Sequence, residues 1–141
     1  MRGILFRGKK SNGCWVYGSL VVSEHIKPAI YYEVGKGLVK QLDWCYVNSD
    51  TVGQYTGLKD KNGVKIFEGD IVKGVSHKSD SCISELIPFD VIGVVGYHKE
   101  YQTLEVRTRQ ASLHIEVAIK GEVIGNIHDN PELLKGGSDE A

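Results

Sequence analysis

Two acidic residues that could share one chemical site, Glu68 and Asp70, stand close together in the sequence. On an extended chain, residues two apart share a face, and a carboxylate pair can bind a cation or perform acid–base catalysis. His128 and Asp129 could add ligands if the end of the chain returned to this point. Gly69 between the two acids favours a turn instead, in which both carboxylates accept backbone N–H bonds. We therefore expect both acids to be structural, and a metal-dependent enzyme is kept only as an alternative.

The rest of the sequence carries no catalytic signature. The five histidines have no metal-ligand spacing, and neither a G-x-S-x-G motif nor a G-x-x-x-x-G-K-[ST] phosphate loop occurs. The cysteines are odd in number and form no C-x-x-C pair, which predicts reduced, mostly buried thiols; they are Cys14, Cys45 and Cys82. We predict no enzyme activity, no cofactor and no metal.

The composition favours a mainly β protein. Of the 141 residues, 16 are Val and 12 are Ile, against 10 Leu and only 4 Ala, and 17 are Gly. β-Branched side chains pack well on a pleated sheet, and abundant glycine is typical of short strands joined by tight turns. Apolar residues make up 41% of the chain, so a core can form without disulfides or metal.

Charge and hydropathy narrow the classes of partner. The net charge is −1, whereas a nucleic-acid-binding domain usually has a clear basic excess. The longest strongly apolar stretch, residues 91–97, is far shorter than the roughly 20 residues of a membrane-spanning helix. The N-terminus, M-R-G-I-L-F-R-G-K-K, lacks the apolar core of a signal peptide. We therefore expect a cytoplasmic protein with no membrane partner.

Alternation of apolar and polar residues predicts several of the strands that would position these groups. Residues 15–22 are predicted as one strand, and residues 29–33 and 38–42 as a hairpin around Gly35-Lys36-Gly37. The alternation over residues 113–119 predicts a half-buried strand with His114 facing water. Residues 75–90, polar in their first half, are expected to form a long loop.

The most informative segment is residues 51–73, T-V-G-Q-Y-T-G-L-K-D-K-N-G-V-K-I-F-E-G-D-I-V-K. Asn62-Gly63 is a strong turn dipeptide, and Glu68-Gly69-Asp70 predicts a second turn. Short strands with a turn at each junction are typical of a small barrel. Near the end, Asn130 is expected to cap a single helical turn with Pro131 in its first position.

Residues 51–73 closely resemble the signature of the YopX family of phage and prophage proteins. Residues 6–20, F-R-G-K-K-S-N-G-C-W-V-Y-G-S-L, are similar to the N-terminal strand pair of that family, and residues 122–134, E-V-I-G-N-I-H-D-N-P-E-L-L, to its closing segment. The resemblance implies a mainly β fold with an SH3-like barrel and a gene in a phage genome, and it assigns no catalytic residue. We therefore predict an N-terminal β segment at 1–50, an SH3-like small barrel at 51–135 and a flexible tail at 136–141.

The resemblance also transfers a set of motif positions, most of which are explained as turn or core residues. These positions are Tyr55, Thr56, Gly57, Leu58, Asp60, Gly63, Ile66, Glu68, Gly69, Asp70, Ile124, Gly125, Asn126, Asn130 and Pro131.

Our functional prediction is a non-enzymatic interaction module, encoded by a phage or prophage and acting in the bacterial cytoplasm. Exposed β edges and aromatic residues in so small a chain favour a homo-oligomer, with a phage or host protein as the other type of partner. The alternative is a small barrel that binds single-stranded nucleic acid by stacking bases on aromatic rings beside cations, which is not favoured. The candidate face for that alternative comprises Lys59, Lys61, Lys65, Arg107 and Arg109.

Overall fold

A computed structural model describes residues 4–139 of the protein. Within these residues the chain is mainly β, with two antiparallel sheets and two short helices, which confirms the predicted fold class at that level. Its contacts divide the chain into two compact units, Met1–Gly57 and Leu58–Ala141.

The first unit is an antiparallel sheet whose strands are neighbours in the order β4-β3-β2-β1-β5. Their bounds are β1 Phe6–Lys9, β2 Trp15–Val21, β3 Ala29–Lys36, β4 Val39–Tyr46 and β5 Gly53–Lys59, the last ending in the second unit; a 3-10 turn covers Ser49–Thr51. Ile30 and Val47 are buried in this unit. Gly8 lies against Val47, because a Cβ on Gly8 would be only 2.9 Å from the Val47 side chain.

The second unit contains a five-stranded antiparallel sheet in the order β10-β9-β8-β7-β11. Its elements are β6 Lys65–Phe67, β7 Asp70–Asp80, β8 Glu85–His98, β9 Thr103–Arg107, β10 Ser112–His114, α1 Glu116–Lys120, β11 Glu122–Asn126 and α2 Glu132–Asp139. The buried residues of its core are Ile66, Val72, Val95, Val106, Ile115 and Ala118. Gly121 joins α1 to β11 where a Cβ would be 2.3 Å from the Lys73 carbonyl oxygen, so only glycine fits.

The sheet of the second unit is open. Over the described residues 4–139 the structure forms no closed barrel, and β10 and β11 are the two ends of the sheet. The mainly β fold is therefore confirmed without a closed barrel, and the SH3-like small barrel predicted at 51–135 is not confirmed. Short strands and tight turns fit an open sheet as well as a barrel, because both need the same local turn chemistry.

The predicted strand over residues 113–119 is wrong beyond His114, because α1 begins at Glu116. Ile115 and Ala118 are buried, and Ile119 packs against the same core. The spacing of these three residues, i, i+3 and i+4, is the helical period. The apolar residues of this segment fit both the two-residue period of a strand and the 3.6-residue period of a helix. Packing of the segment against the core favours the helix.

The predicted loop over residues 75–90 is also wrong, because β7 and β8 form a long hairpin there. The pairing runs from Ile71 opposite Val94 to Asp80 opposite Glu85. Most side chains of its outer part are exposed, so this part needs no apolar face to continue the ladder. The polar composition of the first half of residues 75–90 therefore did not indicate a strand.

The C-terminal helix is longer than the single predicted turn. α2 extends over eight residues, with Leu133 and Leu134 half-buried in its first turn. Gly136 and Gly137 are weak helix formers, which is why the sequence predicted an earlier end and a tail at 136–141. The last two residues of that predicted tail, 140 and 141, lie outside the described residues.

The prediction of mostly buried cysteines fails for Cys14 and Cys82, which are exposed, while Cys45 is half-buried. Cys14 follows a tight turn and Cys82 lies in the turn of the β7–β8 hairpin, where a small side chain meets solvent.

Candidate functional site

The predicted acidic pair is part of a turn and not an exposed carboxylate cluster. Asp70 is 2% exposed, and its Oδ2 accepts a hydrogen bond from the backbone N–H of Phe67 at 2.7 Å. Gly69 between the two acids has a φ of 91° and donates its N–H to the Val95 carbonyl oxygen at 2.9 Å. Asp70 thus closes the turn into β7, and Glu68 is half-buried beside it.

The end of β11 does return to this turn, but its polar groups bond to one another. Asn126 lies opposite Asp70, and the Ile127 N–H donates to the Gly69 carbonyl oxygen at 3.0 Å. Asn126 Oδ1 accepts the N–H groups of His128 and Asp129, and its Nδ2 donates to Asp129 Oδ2 at 3.2 Å. This is an Asx turn that leads into α2.

The side chain of Asn130 was predicted to cap the C-terminal helical turn, but it accepts a different hydrogen bond. Its Oδ1 accepts the Asn126 N–H at 3.3 Å, four residues back along the chain. A Cβ on Gly125 would be 2.5 Å from that same oxygen, so the motif glycine makes room for the Asn130 side chain. In the described part of the chain, no group of three or more His, Cys, Asp or Glu side chains could hold a metal ion.

Asp60 is the motif residue with the most extensive role. It is 6% exposed, and its carboxylate accepts three backbone N–H groups: Asn62 at 2.8 Å and Val64 at 2.9 Å on Oδ1, and Val123 at 2.9 Å on Oδ2. Burial alone would raise the pKa of Asp60, but the three hydrogen bonds to the ionised form outweigh it and hold the pKa below its usual value. Asp60 therefore joins the Gly63 turn to β11.

The residues proposed for a nucleic-acid face lie at two separated places in the second unit. The Lys61 N–H donates to the Gly121 carbonyl oxygen at 3.1 Å, so the segment with Lys59 and Lys65 runs beside the β11 end of the sheet. Arg107 lies on β9, three strands from β11 in the sheet order. At about 4.8 Å per strand, that separation is about 14 Å.

Arg107 is also engaged by an acidic neighbour. Its Nε donates to Glu105 Oε2, and its Nη2 donates to the Tyr97 carbonyl oxygen at 3.3 Å. The hydrogen bond from Arg107, with a second from Ser112, holds the pKa of the Glu105 carboxyl below its usual value although burial opposes this. Arg107 is therefore only partly available to an external anion.

The first unit has a large exposed apolar surface on one face of its sheet, which we call the aromatic face; its residues are Tyr17, Val21, Tyr31, Leu42, Trp44 and Tyr46. The strand register explains this grouping. Trp44 lies opposite Tyr31, and Tyr46 lies opposite Ala29, whose partner on β2 is Val21. Directly opposite residues share a side of the sheet, and side chains alternate along each strand.

The rings of the aromatic face contact one another and remain open to solvent. Tyr31 and Trp44 stack with their centroids 6.1 Å apart, and Trp44 meets Tyr46 edge-on at 5.0 Å. Leu42 is 67% exposed, Trp44 45% and Tyr46 48%. A contiguous group of large exposed apolar side chains marks an interaction surface more often than a solvated one.

The aromatic face borders a free strand edge. β4 is the last strand of the sheet in the described part of the chain, so half of the backbone groups of its eight residues face outward. The charges nearest to Leu42 are balanced, because Lys40 pairs with Glu33 at 3.7 Å. Arg7 lies 4.8 Å over the Trp15 ring and is buried, so it adds no exposed charge.

The sequence does not show that these residues form one surface. The sequence alone does not say on which side of the sheet each aromatic side chain lies, for Tyr17, Tyr31, Trp44 and Tyr46. Their shared side follows only from the pairing register of three strands. The alternation Leu42, Trp44, Tyr46 was the one available signal, because it gives β4 an apolar side.

No helix in the described part of the chain is long and apolar enough to cross a membrane.

Comparison with known proteins gives a family and a fold. The family model described as YopX protein matches residues 5–135, which is nearly the whole chain. The crystal structure of protein EF1440 from Enterococcus faecalis is similar with a TM-score of 0.60 and 22% identity, covering 95% of this chain and 99% of that one. No curated protein matches significantly. The family match confirms the resemblance found in the sequence, and the chain belongs to the YopX family.

Proposed function

We propose that this protein is a non-enzymatic interaction module, encoded by a phage or prophage and acting in the cytoplasm of the bacterial host, that assembles with a second copy of itself. The observation that carries the proposal is the aromatic face beside the free edge of β4. A free edge is complementary to itself, because two copies related by a two-fold axis can pair the same strand antiparallel. Pairing of β4 would continue the sheet and join the two aromatic faces.

The residues of β4 favour one register for this pairing. With Leu42 on the two-fold axis, Leu42 lies opposite its own copy and Lys40 lies opposite Trp44 of the second copy. A lysine over a tryptophan ring is favourable by about 0.5–1 kcal/mol at an exposed site. With Asp43 on the axis, two like charges would be directly opposite, which destabilises a strand pair.

A second copy suits this surface better than a nucleic acid does. Stacking platforms for single strands combine aromatic rings with a positively charged groove. Here Lys40 is paired with Glu33, Arg7 is buried, and Lys9 lies 5.6 Å over the Trp15 ring, so each of these positive charges already has a partner within the protein. Balanced charge and exposed apolar area are features of interfaces between proteins.

Light scattering coupled to size-exclusion chromatography tests the proposal. The wild-type chain is expected to be a dimer at micromolar concentration, and Leu42→Glu and Trp44→Glu are expected to be monomers, because each would bury an unpaired carboxylate. Leu86→Glu is the matched control, since Leu86 is 65% exposed on β8 and lies outside the aromatic face. A wild-type monomer over the whole concentration range would refute the proposal.

A cross-link tests the register itself. In a background with the three native cysteines changed to serine, Leu42→Cys is expected to form an intermolecular disulfide, because opposite residues in a strand pair lie about 5 Å apart. Leu86→Cys, at a similarly exposed position on β8 (65% against 67% for Leu42), serves as the control and is expected to stay monomeric on mild oxidation. Equal cross-linking at both positions would exclude β4 pairing.

A further inference from the structure

One edge of β8 in the second unit is left without a partner strand over much of its length, although α2 contacts β8. β8 pairs with β7 from Glu85 to Val94, but β9 covers the other edge only from Val94 to His98. Over residues 85–93, no strand pairs with that second edge in the part of the chain that the structure describes. Along these residues, the backbone N–H and C=O groups of every second residue bond to β7, and those of the residues between them point to the side that has no partner strand.

A cavity of about 790 Å³ is lined in part by this unpaired stretch of β8; we call it the β8 notch. The turn from Thr108 to Ala111 and the helix α2 form part of its walls. Its apolar lining includes Phe89, Val91, Ile92, Leu113 and Leu134. The lining includes β8 residues 89–92, and four residues of an added strand would span about 13 Å there.

The charged residues of the β8 notch are mostly basic. Lys78, Arg107, Arg109 and Lys135 line it, against one acidic residue, Asp90. Arg107 is partly engaged by Glu105, so its charge is partly compensated inside the protein. Lys135 also takes part in an interaction within the protein, so only Lys78 and Arg109 are counted against Asp90. That balance is still positive, which favours an anionic occupant.

From these observations we propose that the β8 notch binds an extended acidic peptide segment of a partner protein, which adds as a strand to the open edge of β8. The open backbone groups supply the hydrogen bonds, the apolar lining takes every second side chain, and the basic residues select acidic side chains between them. The site differs in kind from the aromatic face, because its charge is unbalanced and its occupant is a chain with alternating acidic and apolar residues.

A peptide suits this site better than a phosphodiester chain of similar charge. A strand edge presents alternating donors and acceptors, and only another peptide backbone has the complementary series at the same spacing. A nucleic acid would use the basic residues but would leave the backbone groups of residues 89–92 to water.

The probe is a fluorescein-labelled heptapeptide of alternating Glu and Val, followed by fluorescence anisotropy at low salt. The same peptide with every internal backbone nitrogen methylated keeps the side chains and charge but loses its N–H donors. We expect binding of the first peptide that weakens as salt rises, and at least about tenfold weaker binding of the methylated one. An alternating Lys and Val peptide is expected not to bind.

Variants locate the site. Arg109→Glu is expected to weaken binding by about tenfold or more, because it reverses a charge of the notch. Lys99→Glu makes the same charge change at an exposed position outside the notch and is expected to change binding less than about twofold. Circular dichroism confirms that both variants are folded.

Either of two results would overturn the proposal: equal binding of the methylated and unmethylated peptides, or binding that Lys99→Glu weakens as much as Arg109→Glu. If a labelled oligothymidylate bound the protein and Arg109→Glu abolished that binding, while the peptide did not bind, the notch would be assigned to nucleic acid instead. All titrations are repeated in the Leu42→Glu background, so peptide binding is measured whether or not the chain dimerises.

Discussion

Asp60 gives the sharpest test of how this fold is held together, because one carboxylate satisfies three backbone N–H groups. Asp60→Asn keeps an oxygen for Asn62 and Val64 but turns an NH2 group towards the Val123 N–H, which then has no acceptor. A hydrogen bond to a charged group contributes about 1.5–3 kcal/mol, so we expect the free energy of unfolding to fall by about 2 kcal/mol. Asp60→Ala removes all three bonds, and we expect a loss of about 4 kcal/mol.

The pH dependence of this effect has a definite sign. The folded pKa of Asp60 is lower than the usual value, so its contribution is complete above the unfolded pKa of about 4 and is lost as pH falls through the folded pKa. The difference in unfolding free energy between wild type and Asp60→Asn is therefore expected to be largest near neutral pH and to narrow below about pH 4.

Urea unfolding followed by circular dichroism measures both effects, at pH 7 and in steps below pH 4. Asp80→Asn is the control, because Asp80 accepts one backbone N–H, that of Cys82 at 2.8 Å, at an exposed turn. We expect it to change the unfolding free energy by less than about 0.5 kcal/mol. If Asp60→Asn were equally mild, or if its effect were constant down to pH 2, the role assigned to Asp60 would be incorrect.

Three further outcomes follow from the geometry. Gly121→Ala is expected to lower the unfolding free energy by at least about 2 kcal/mol in a denaturation experiment, because its Cβ would lie 2.3 Å from a carbonyl oxygen. Arg107→Gln is expected to raise the pKa of Glu105, measured by NMR titration of its carboxyl carbon, and an unchanged titration would contradict the assigned pair. Cys14 and Cys82 are expected to react fast with a thiol reagent in the folded protein and the third cysteine slowly; three equal rates would contradict the exposures.

Turns were the most predictable part of this fold, because their residues act through local chemistry. Gly63 follows Asn62 and has a φ of 81°, as the turn dipeptide predicted. Gly69 likewise has a positive φ, and Asp70 accepts a backbone N–H as expected for a turn acid. The hairpin around Gly37 was also predicted, with β3 and β4 longer than expected.

Elements that depend on distant packing were not predictable. The helix α1 competes with a strand over the same residues, and only contact of Ala118 with the core decides between them. The outer part of β7, residues 76–80, is polar, so period-2 reasoning had nothing to detect on that strand. On β8, Ile87, Phe89 and Val91 do alternate with Pro88 and Asp90, so that half of the hairpin carried a strand signal. Closure of a sheet is also non-local, because it depends on whether the first and last strands meet.

The candidate surfaces depend on register, which the sequence does not contain explicitly. The aromatic face needs three strands aligned so that Trp44, Tyr31 and Val21 share a side. The β8 notch needs β9 to end at Arg107 while β8 continues along β7. Shifting either pairing by one residue would move the side chains concerned to the opposite side of the sheet.

The placement of β11 bears on the order in which the second unit forms during translation. β7 and β8 are joined by a short turn and can pair as soon as both leave the ribosome, since contacts between sequence neighbours form quickly. The other edge of β7 stays unpaired until residues 122–126 have been synthesised. The Asp60 carboxylate likewise lacks one of its donors until Val123, 63 residues later, has been added. Until then the nascent chain exposes an unpaired strand next to apolar residues, which is the period when it is most prone to aggregate or to need a chaperone.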